Sequence, residues 1–510
     1  MSSRPFFITT PIYYANAPLH IGSAFEIIGI DALARFRRLC GDDVFFLTGM
    51  DEHGEKNQRA AEARGITPQQ HVDEMAANFR TFCQRLQISA DDIIRTTEPR
   101  HRRVVEAFWR QVQGQGDIYL GEYTGAYCAR CECYVRETDL KDGTCPACGE
   151  RTRLLSEPAF FFRLSRFTEP LRRHFAEHPD FVQPDFRRRE MQRIIESGLE
   201  DVCISRSSIH WGIPVPGAPG HVVYVWFDAL VNYISAIGYG SDPDRFARYW
   251  PAALHVVGKD ILRWHTILWP AMLMSAGLAL PQRVFGHGFI YTRGGKMSKS
   301  LGNVVDPQAV AQKYGADALR YALLRETPYE NDGCYSEDSL VERYNRDLGN
   351  DLGNLVLRVV TMIDRYCHGA VPAPQGDNGP LRTTAERLNA EIPPAMNGLQ
   401  FSRALEDIWA LVHRANEFIE EQKPWAMAKD TAAAARLNKT LYDLAETLRL
   451  LSVWLTPFMP ATAAAIRAQL SLGDIQGTIP AETRWGLLPA GQHVQRGAPL
   501  FPRLGEPAAG

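Results

Sequence analysis

The sequence lacks the marks of a membrane or exported chain. An apolar stretch without a full charge, Trp264 to Leu280, contains His265 and Pro270 and is short for a bilayer span, so a buried helix is expected there. No signal-peptide layout precedes the first apolar run, Phe6-Phe7-Ile8-Thr9-Thr10. Neither charge is in excess: 56 Lys and Arg against 59 Asp and Glu leave a net −3. Any nucleic-acid contact must therefore use a local basic patch. Arg187-Arg188-Arg189 with Arg193 is one candidate, and a solvated helix face accounts for it equally well. There is no internal repeat and no low-complexity tract. Cysteine is sparse, ten residues in 510, and four of the ten form two close pairs. That is metal-site usage in a reducing compartment rather than a disulfide framework, and a cytoplasmic location is expected.

What is present is ordinary for a soluble globular chain, 45% hydrophobic and 23% charged, and long enough for about three or four domains. Phe6 to Thr10 reads as a buried strand of a parallel sheet. His20-Ile21-Gly22-Ser23 opens a helical pattern through Leu39, and Asp43 to Thr48 is the next strand, ending in Gly49-Met50-Asp51-Glu52-His53-Gly54. Ligands of such strand–helix–strand units sit beyond the carboxyl ends of the strands. His20 and Gly22 lie where free N–H groups and the positive helix end favour phosphate.

Further strands are expected at 92–96, 221–227, 254–257 and 283–285, with helices at 55–64, 67–86, 104–113, 169–178, 188–197 and 306–325. Long helical patterns follow at 347–366, 381–397, 401–421 and 431–455. Cys128-Ala-Arg-Cys131 and Cys145-Pro-Ala-Cys148, 13 residues apart, present four thiolates that can close a tetrahedron around one structural Zn²⁺ at about 2.3 Å. Cys133 is a spare thiol. From Tyr291 to Asn303 runs Tyr-Thr-Arg-Gly-Gly-Lys-Met-Ser-Lys-Ser-Leu-Gly-Asn. Its two lysines, Lys296 and Lys299, have no carboxylate between them, and Ser298 and Ser300 add hydroxyl donors, which suits a triphosphate.

Lys-Met-Ser-Lys-Ser resembles one of the two signatures of class I aminoacyl-tRNA synthetases, and His20-Ile-Gly-Ser23 resembles the other. The usual form of the latter ends in His; Ser23 can donate a hydrogen bond but cannot carry imidazolium charge. Thr9-Thr-Pro-Ile-Tyr-Tyr14, Leu47-Thr-Gly-Met-Asp-Glu-His-Gly54, Tyr224-Val-Trp-Phe-Asp-Ala229 and Val257-Gly-Lys-Asp-Ile261 are similar to blocks of the bacterial-type methionyl-tRNA synthetases. The four-cysteine insertion resembles the one-zinc form of that family.

The resemblance implies an α/β, split Rossmann-type parallel-sheet catalytic domain, its halves at 1–115 and 221–285, with a zinc-binding insertion at 116–220. The signature loop and stem-contact region (286–340), an α-helical bundle that binds the anticodon (341–470) and a C-terminal strap (471–510) follow. It implies a methionine–tRNA ligase using ATP with Mg²⁺, L-methionine and tRNA(Met), initiator and elongator. His20, Lys296 and Lys299 would be catalytic. ATP would meet His20, Gly22, Ser23, Gly258, Asp260, Lys296, Ser298 and Lys299. Methionine would meet Ile12, Tyr14, Asp51, Trp226, Ala229, Tyr233, Ile261, Trp264, His265 and Trp269, with Asp51 pairing its ammonium group. Leu230 and Trp264 stand where some members carry Pro and Phe. Asn354, Arg358 and Trp425 would bind the anticodon, and Cys128, Cys131, Cys145 and Cys148 the zinc. With no room after residue 470 for an appended dimer-forming domain, a monomer is expected. The alternative is a zinc-containing RNA-binding paralogue without catalysis, with Ser23 the one feature in its favour.

Overall fold

The computed structural model describes residues 3–16, 18–128, 133–135, 140, 142–146, 149–292, 304–376 and 379–504. Its central element is an all-parallel six-stranded sheet. In chain order its strands are β1 (Pro5–Tyr14), β2 (Asp43–Asp51), β3 (Asp92–Arg95), β7 (Val182–Gln183), β11 (Ala253–Gly258) and β12 (Arg283–His287). Across the sheet they run β3-β2-β1-β11-β12-β7. The inner strands are buried along most of their length, and all six residues of β11 are buried, which is why they read as apolar runs without alternation. The chain leaves β1 for β2 on one side, and β11 lies against β1 on the other. A crevice therefore opens beyond the carboxyl ends of β1 and β11, the switch point of a doubly wound sheet.

The insertion is built on a long antiparallel pair, β4 (Ile118–Cys128) with β6 (Arg153–Phe162), flanked by β5 (Cys133–Val135) and β8 (Val202–Cys203). The structure differs from the expected boundary at 116–220 in one respect. β7 lies inside that range yet extends the main sheet, because Phe181 and Val182 pack into the same core as Val284, whose N–H donates to the Phe181 carbonyl at 2.7 Å. The strand expected at 221–227 is also corrected. Only Val222–Val223 (β10) forms a strand, and it pairs with β9 (Ser205–Arg206) rather than with the main sheet. Val225–Leu230 is helical. A short apolar run fits a strand or a buried helix, and periodicity alone cannot separate them. Here Phe227 faces the core and Asp228 a buried polar partner.

β13 (Ile290–Thr292) and β14 (Gly333–Tyr335) form a small parallel pair beside the crevice. The helix expected over 306–325 is two, Pro307–Tyr314 and Ala316–Glu326, broken at Gly315, whose φ of +92° is open to glycine and strained for other residues. Beyond them the chain is helical: Glu337–Arg343, a π-helical stretch Tyr344–Gly353, then Asn354–Cys367, Pro380–Asn397, Phe401–Gln422, Ala434–Leu455 and Pro460–Gln469. Phe401, Leu405, Ile408, Val412, Ala415 and Ile419 recur at three- and four-residue spacing and are buried, so one stripe of that helix faces the bundle core. The described part of the C-terminal stretch packs Ile479, Leu488 and Val494 into the same core, and Glu446 accepts the N–H groups of Gly486, Leu487 and Leu488. Among the described residues no helix is long and apolar enough to cross a membrane.

Candidate active site

A cavity of about 280 Å³ fills the crevice at the switch point. Its walls come from the end of β1 (Pro11 to Tyr14), the first turns of the helix Ile21–Leu39, Asp51 at the end of β2, the helix 225–230, the end of β11 and the segment after β12. Distant stretches of sequence thus meet because parallel strands end on one side of a sheet.

His20 caps the helix Ile21–Leu39. Its backbone is extended and its Nδ1 accepts the Gly22 N–H at 3.1 Å. With Nδ1 committed as an acceptor, the neutral ring carries its proton on Nε2, a donor. Burial lowers the pKa of His20 below the ordinary value, against the pull of Glu26, so the neutral form prevails at pH 7. No acidic residue occupies the first turn of this helix, which leaves its positive end open to an anion. Gly22 and Ser23 line the cavity beside it. Also on the cavity wall, a Cβ on Gly258 would come within 2.9 Å of Asp260 Oδ1 and 3.4 Å of the Phe289 ring, so a larger residue there would displace the Asp260 carboxylate. Lys296, Ser298 and Lys299 lie outside the described residues. The segment that carries them leaves from Tyr291, on the cavity wall, and returns by Val305, whose carbonyl accepts the Ile21 N–H at 3.1 Å.

The other end of the cavity is aromatic. Ile12, Tyr14, Trp226, Ala229, Tyr233, Ile261 and His265 line it with Asp51. Trp264 and Trp269 do not. Trp264 stacks on Trp226, with ring centroids 4.9 Å apart, and Trp269 is fully buried among Phe108, Tyr233 and Trp250. His265 Nδ1 faces the Ile261 carbonyl at 2.9 Å and must donate to it, so Nε2 accepts from the Tyr233 hydroxyl at 2.7 Å. Burial pushes the pKa of His265 down to about 4, which keeps this wall uncharged.

Asp51 is the exception in that wall. It is only 4% exposed, and its Oδ1 has no hydrogen-bond partner among the described residues. Burial raises its pKa well above the usual carboxylate range, and the charges of Asp228 and Glu52 add to the rise while Lys56 opposes it. A buried carboxylate facing a cavity with one oxygen lacking a hydrogen-bond partner among the described residues is suited to a cationic ligand.

Sequence reasoning missed Glu26 and His287. Glu26 Oε2 and His287 Nε2 are 2.6 Å apart on the cavity wall, and His287 Nδ1 is 2.7 Å from the Gly288 carbonyl. The available signal was position: Glu26 follows Ser23 by three residues on one helix face, and His287 ends a parallel strand.

Farther off, Trp425 is 38% exposed, and its ring lies 6.0 Å from the Arg358 guanidinium. Both line a second hollow of about 340 Å³ with Leu357, Thr361 and Tyr366. Arg358 is also paired with Glu420 at 2.6 Å. Asn354 is exposed one turn before Arg358, outside that hollow. In the insertion, Cys128 ends β4 and Cys145 sits in a turn whose Gly149 N–H donates to the Cys145 carbonyl; both are buried. Cys131 and Cys148 lie outside the described residues.

Comparison with known proteins agrees with this geometry. The family model described as class I tRNA synthetases (M) matches residues 6–154 and 135–360, and that of the anticodon binding domain of methionyl tRNA ligase matches 376–508. The methionine–tRNA ligase of Caldanaerobacter subterraneus is 48% identical over 98% of this chain and 79% of its own length. That of Clostridium perfringens is 44% identical over 99% of this chain and 79% of its own. The structure of Mycobacterium tuberculosis methionyl-tRNA synthetase in complex with methionyl-adenylate superposes with a TM-score of 0.92 at 41% identity, covering 98% of this chain and all of that one. Matched by these family models and relatives over nearly its whole length, the chain belongs to the class I methionyl-tRNA synthetases.

Proposed function

We propose that this chain joins L-methionine to tRNA(Met), first activating it with ATP. The observation that carries the assignment is Asp51, a buried carboxylate whose Oδ1 has no hydrogen-bond partner among the described residues, in a cavity lined by an aromatic wall and a phosphate-favouring helix start. The ammonium group of methionine pairs with Asp51, and its thioether lies among Trp226, Tyr233 and His265, where sulfur–aromatic contacts contribute ~0.3–1.5 kcal/mol. Its carboxylate oxygen then bonds to the α-phosphorus of ATP as the bond to the bridging oxygen of pyrophosphate breaks. Catalysis is positioning and charge stabilisation.

His20 donates through Nε2 to the phosphates, Gly22 and Ser23 admit the nucleotide, and Gly258 and Asp260 face its adenine and ribose. Lys296, Ser298 and Lys299 hold the leaving phosphates, with Mg²⁺ entering on ATP. A terminal hydroxyl of tRNA next attacks the adenylate carbonyl, and AMP leaves. Methionine-dependent ATP–pyrophosphate exchange tests the reading. Exchange with methionine and no other amino acid is expected; its absence in folded protein would overturn it.

The bundle at 341–470 serves as the tRNA-reading half. Trp425 stacks one splayed base of the anticodon, with Arg358 and Asn354 at hand for base edges. Trp425→Ala is expected to leave adenylate formation unchanged while weakening tRNA charging about 5- to 150-fold, the loss of ~1–3 kcal/mol of stacking. Equal losses in both assays would remove the role.

Cys128 and Cys145 are thiols buried in a small β-rich insertion with a tight turn, which fits two of the four ligands of a structural zinc. Cys131 and Cys148 supply the rest, and the ion would hold the insertion's fold. Metal analysis is expected to find one zinc per chain, lost in Cys145→Ser together with the insertion's resistance to proteolysis. The enzyme is taken to work as a monomer in the cytoplasm, which sedimentation and fractionation check.

A further inference from the structure

Asp228 is fully buried on the helix Val225–Leu230, whose Trp226, Ala229 and Leu230 line the cavity. It does not line the cavity itself. One oxygen, Oδ2, lies 2.7 Å from His53 Nδ1, and the other, Oδ1, lies 2.7 Å from His101 Nε2. His101, also fully buried, reaches Ser235 Oγ at 2.9 Å through its other ring nitrogen, and Ser235 donates to the Asn232 carbonyl at 3.1 Å. Burial would raise the pKa of Asp228, yet the two imidazoles outweigh it and hold the group ionised, at about 2.

His53 follows Asp51 by two residues. The backbone between them is fixed from both sides: Asn57 Nδ2 donates to the Asp51 and His53 carbonyls at 3.0 and 3.2 Å, and Trp211 Nε1 donates to the Glu52 carbonyl at 2.6 Å. The loop that presents Asp51 and the helix that presents Trp226 and Ala229 are thus joined through one carboxylate, which His101 anchors to a third helix, Pro99–Gly114.

We propose that Asp228 is a positioning residue that sets the spacing between the Asp51 carboxylate and the aromatic wall, and so the fit of the amino acid; this rests on the function proposed above. An ordinary buried ion cluster would hold the fold and affect both substrates alike. Apart from the helix Pro99–Gly114, which lines no part of the cavity, this one touches only elements that carry the residues proposed for the amino acid. The nucleotide end, built from the start of the helix Ile21–Leu39 and the ends of β11 and β12, has no member in the network. A displacement here therefore registers in methionine and not in ATP.

The test is ATP–pyrophosphate exchange on the full chain, with thermal melts of each variant. Asp228→Asn, which keeps the shape but turns one oxygen into a donor facing donors, is expected to raise KM for methionine at least about tenfold and leave KM for ATP within about twofold. His53→Asn keeps a donor near the Nδ1 position and is expected to stay within about threefold of wild type, while His53→Leu behaves like Asp228→Asn. The proposal is overturned if KM for methionine in Asp228→Asn stays within twofold, if both KM values rise together, or if the two His53 variants behave alike. Should Asp228→Asn fail to fold, the His53 pair decides on the same criteria. Wild-type protein without methionine-dependent exchange would instead overturn the proposed function, and this inference with it.

Discussion

Asp51→Asn is expected to lower kcat/KM for methionine by about 30- to several-thousand-fold, the ~2–5 kcal/mol lost when one partner of a buried charge pair is removed. KM for ATP should be nearly unchanged, because Asp51 belongs with the residues proposed to hold the amino acid rather than the nucleotide. The same substitution should stabilise the ligand-free protein at neutral pH. Asp51 has a folded-state pKa raised well above its ordinary value, chiefly by burial. An acid shifted that way binds its proton more tightly in the folded chain. Its favourable contribution is full below the unfolded value near 3.9 and is lost as pH rises through the folded value. As pH rises toward neutrality the wild type therefore loses this contribution, a loss that asparagine does not suffer.

Thermal melts across pH 4–8 should show Asp51→Asn above the wild type at pH 7, with the gap closing toward pH 4. Methionine should raise the melting temperature of the wild type and leave the variant where it is. In the wild type, methionine affinity should weaken as pH falls through the raised pKa, since protonation removes the counter-charge. A variant that melts lower at neutral pH, or binds methionine as well as wild type, would refute the role of Asp51.

That His20 lines the cavity could be read from sequence because its position is local, at the junction where a helix begins, whereas Asp51 came through resemblance. Trp226 and Tyr233 were equally accessible through resemblance. Trp264 and Trp269 show the limit. An apolar helical stretch announces burial, but the face each tryptophan takes is set by neighbours far off in sequence, here Trp226 for one and Phe108 and Trp250 for the other. Glu26 and His287 were missed for a related reason. They are 261 residues apart, and the position of each at a helix start or strand end does not by itself reveal the other as its partner. The run His221 to Phe227 misled because β-branched and aromatic residues suit a strand as well as a buried turn of helix, and the deciding partner of Asp228, His53, lies 175 residues away. β7 escaped notice because two residues carry no period at all.

Arg320→Ala is expected to destabilise the protein by about 3–5 kcal/mol, a large share of the ~5–15 kcal/mol that holds a folded protein together. Arg320 is fully buried on the helix Ala316–Glu326. Its guanidinium donates to Asp31 at 2.7 Å, to the Leu86 carbonyl at 3.1 Å, and to the carbonyls of Pro457 and Phe458 at 3.0 and 2.7 Å. Asp31 lies on the helix that His20 caps, and Pro457 and Phe458 follow the bundle helix Ala434–Leu455, so this one side chain joins the catalytic sheet's first helix to the bundle. Truncation strands three buried carbonyls and opens a cavity.

Asp31 keeps Arg35 and Ser89, which is why it should survive as an ion at pH 7. Burial pushes its pKa up, and Arg320, Arg35 and Ser89 more than reverse that, so the folded value lies below the ordinary one. A carboxylate so depressed stabilises the fold above its unfolded pKa and ceases to as pH falls through the folded value. The gap between Arg320→Ala and wild type should thus be full at neutral pH and shrink in acid. Arg320→Met separates the contributions. It fills most of the volume, so recovery to wild-type stability would mean that packing alone matters. A denaturant midpoint close to that of the alanine variant would place the cost in the lost donors, the outcome expected when three backbone carbonyls have no other partner to turn to.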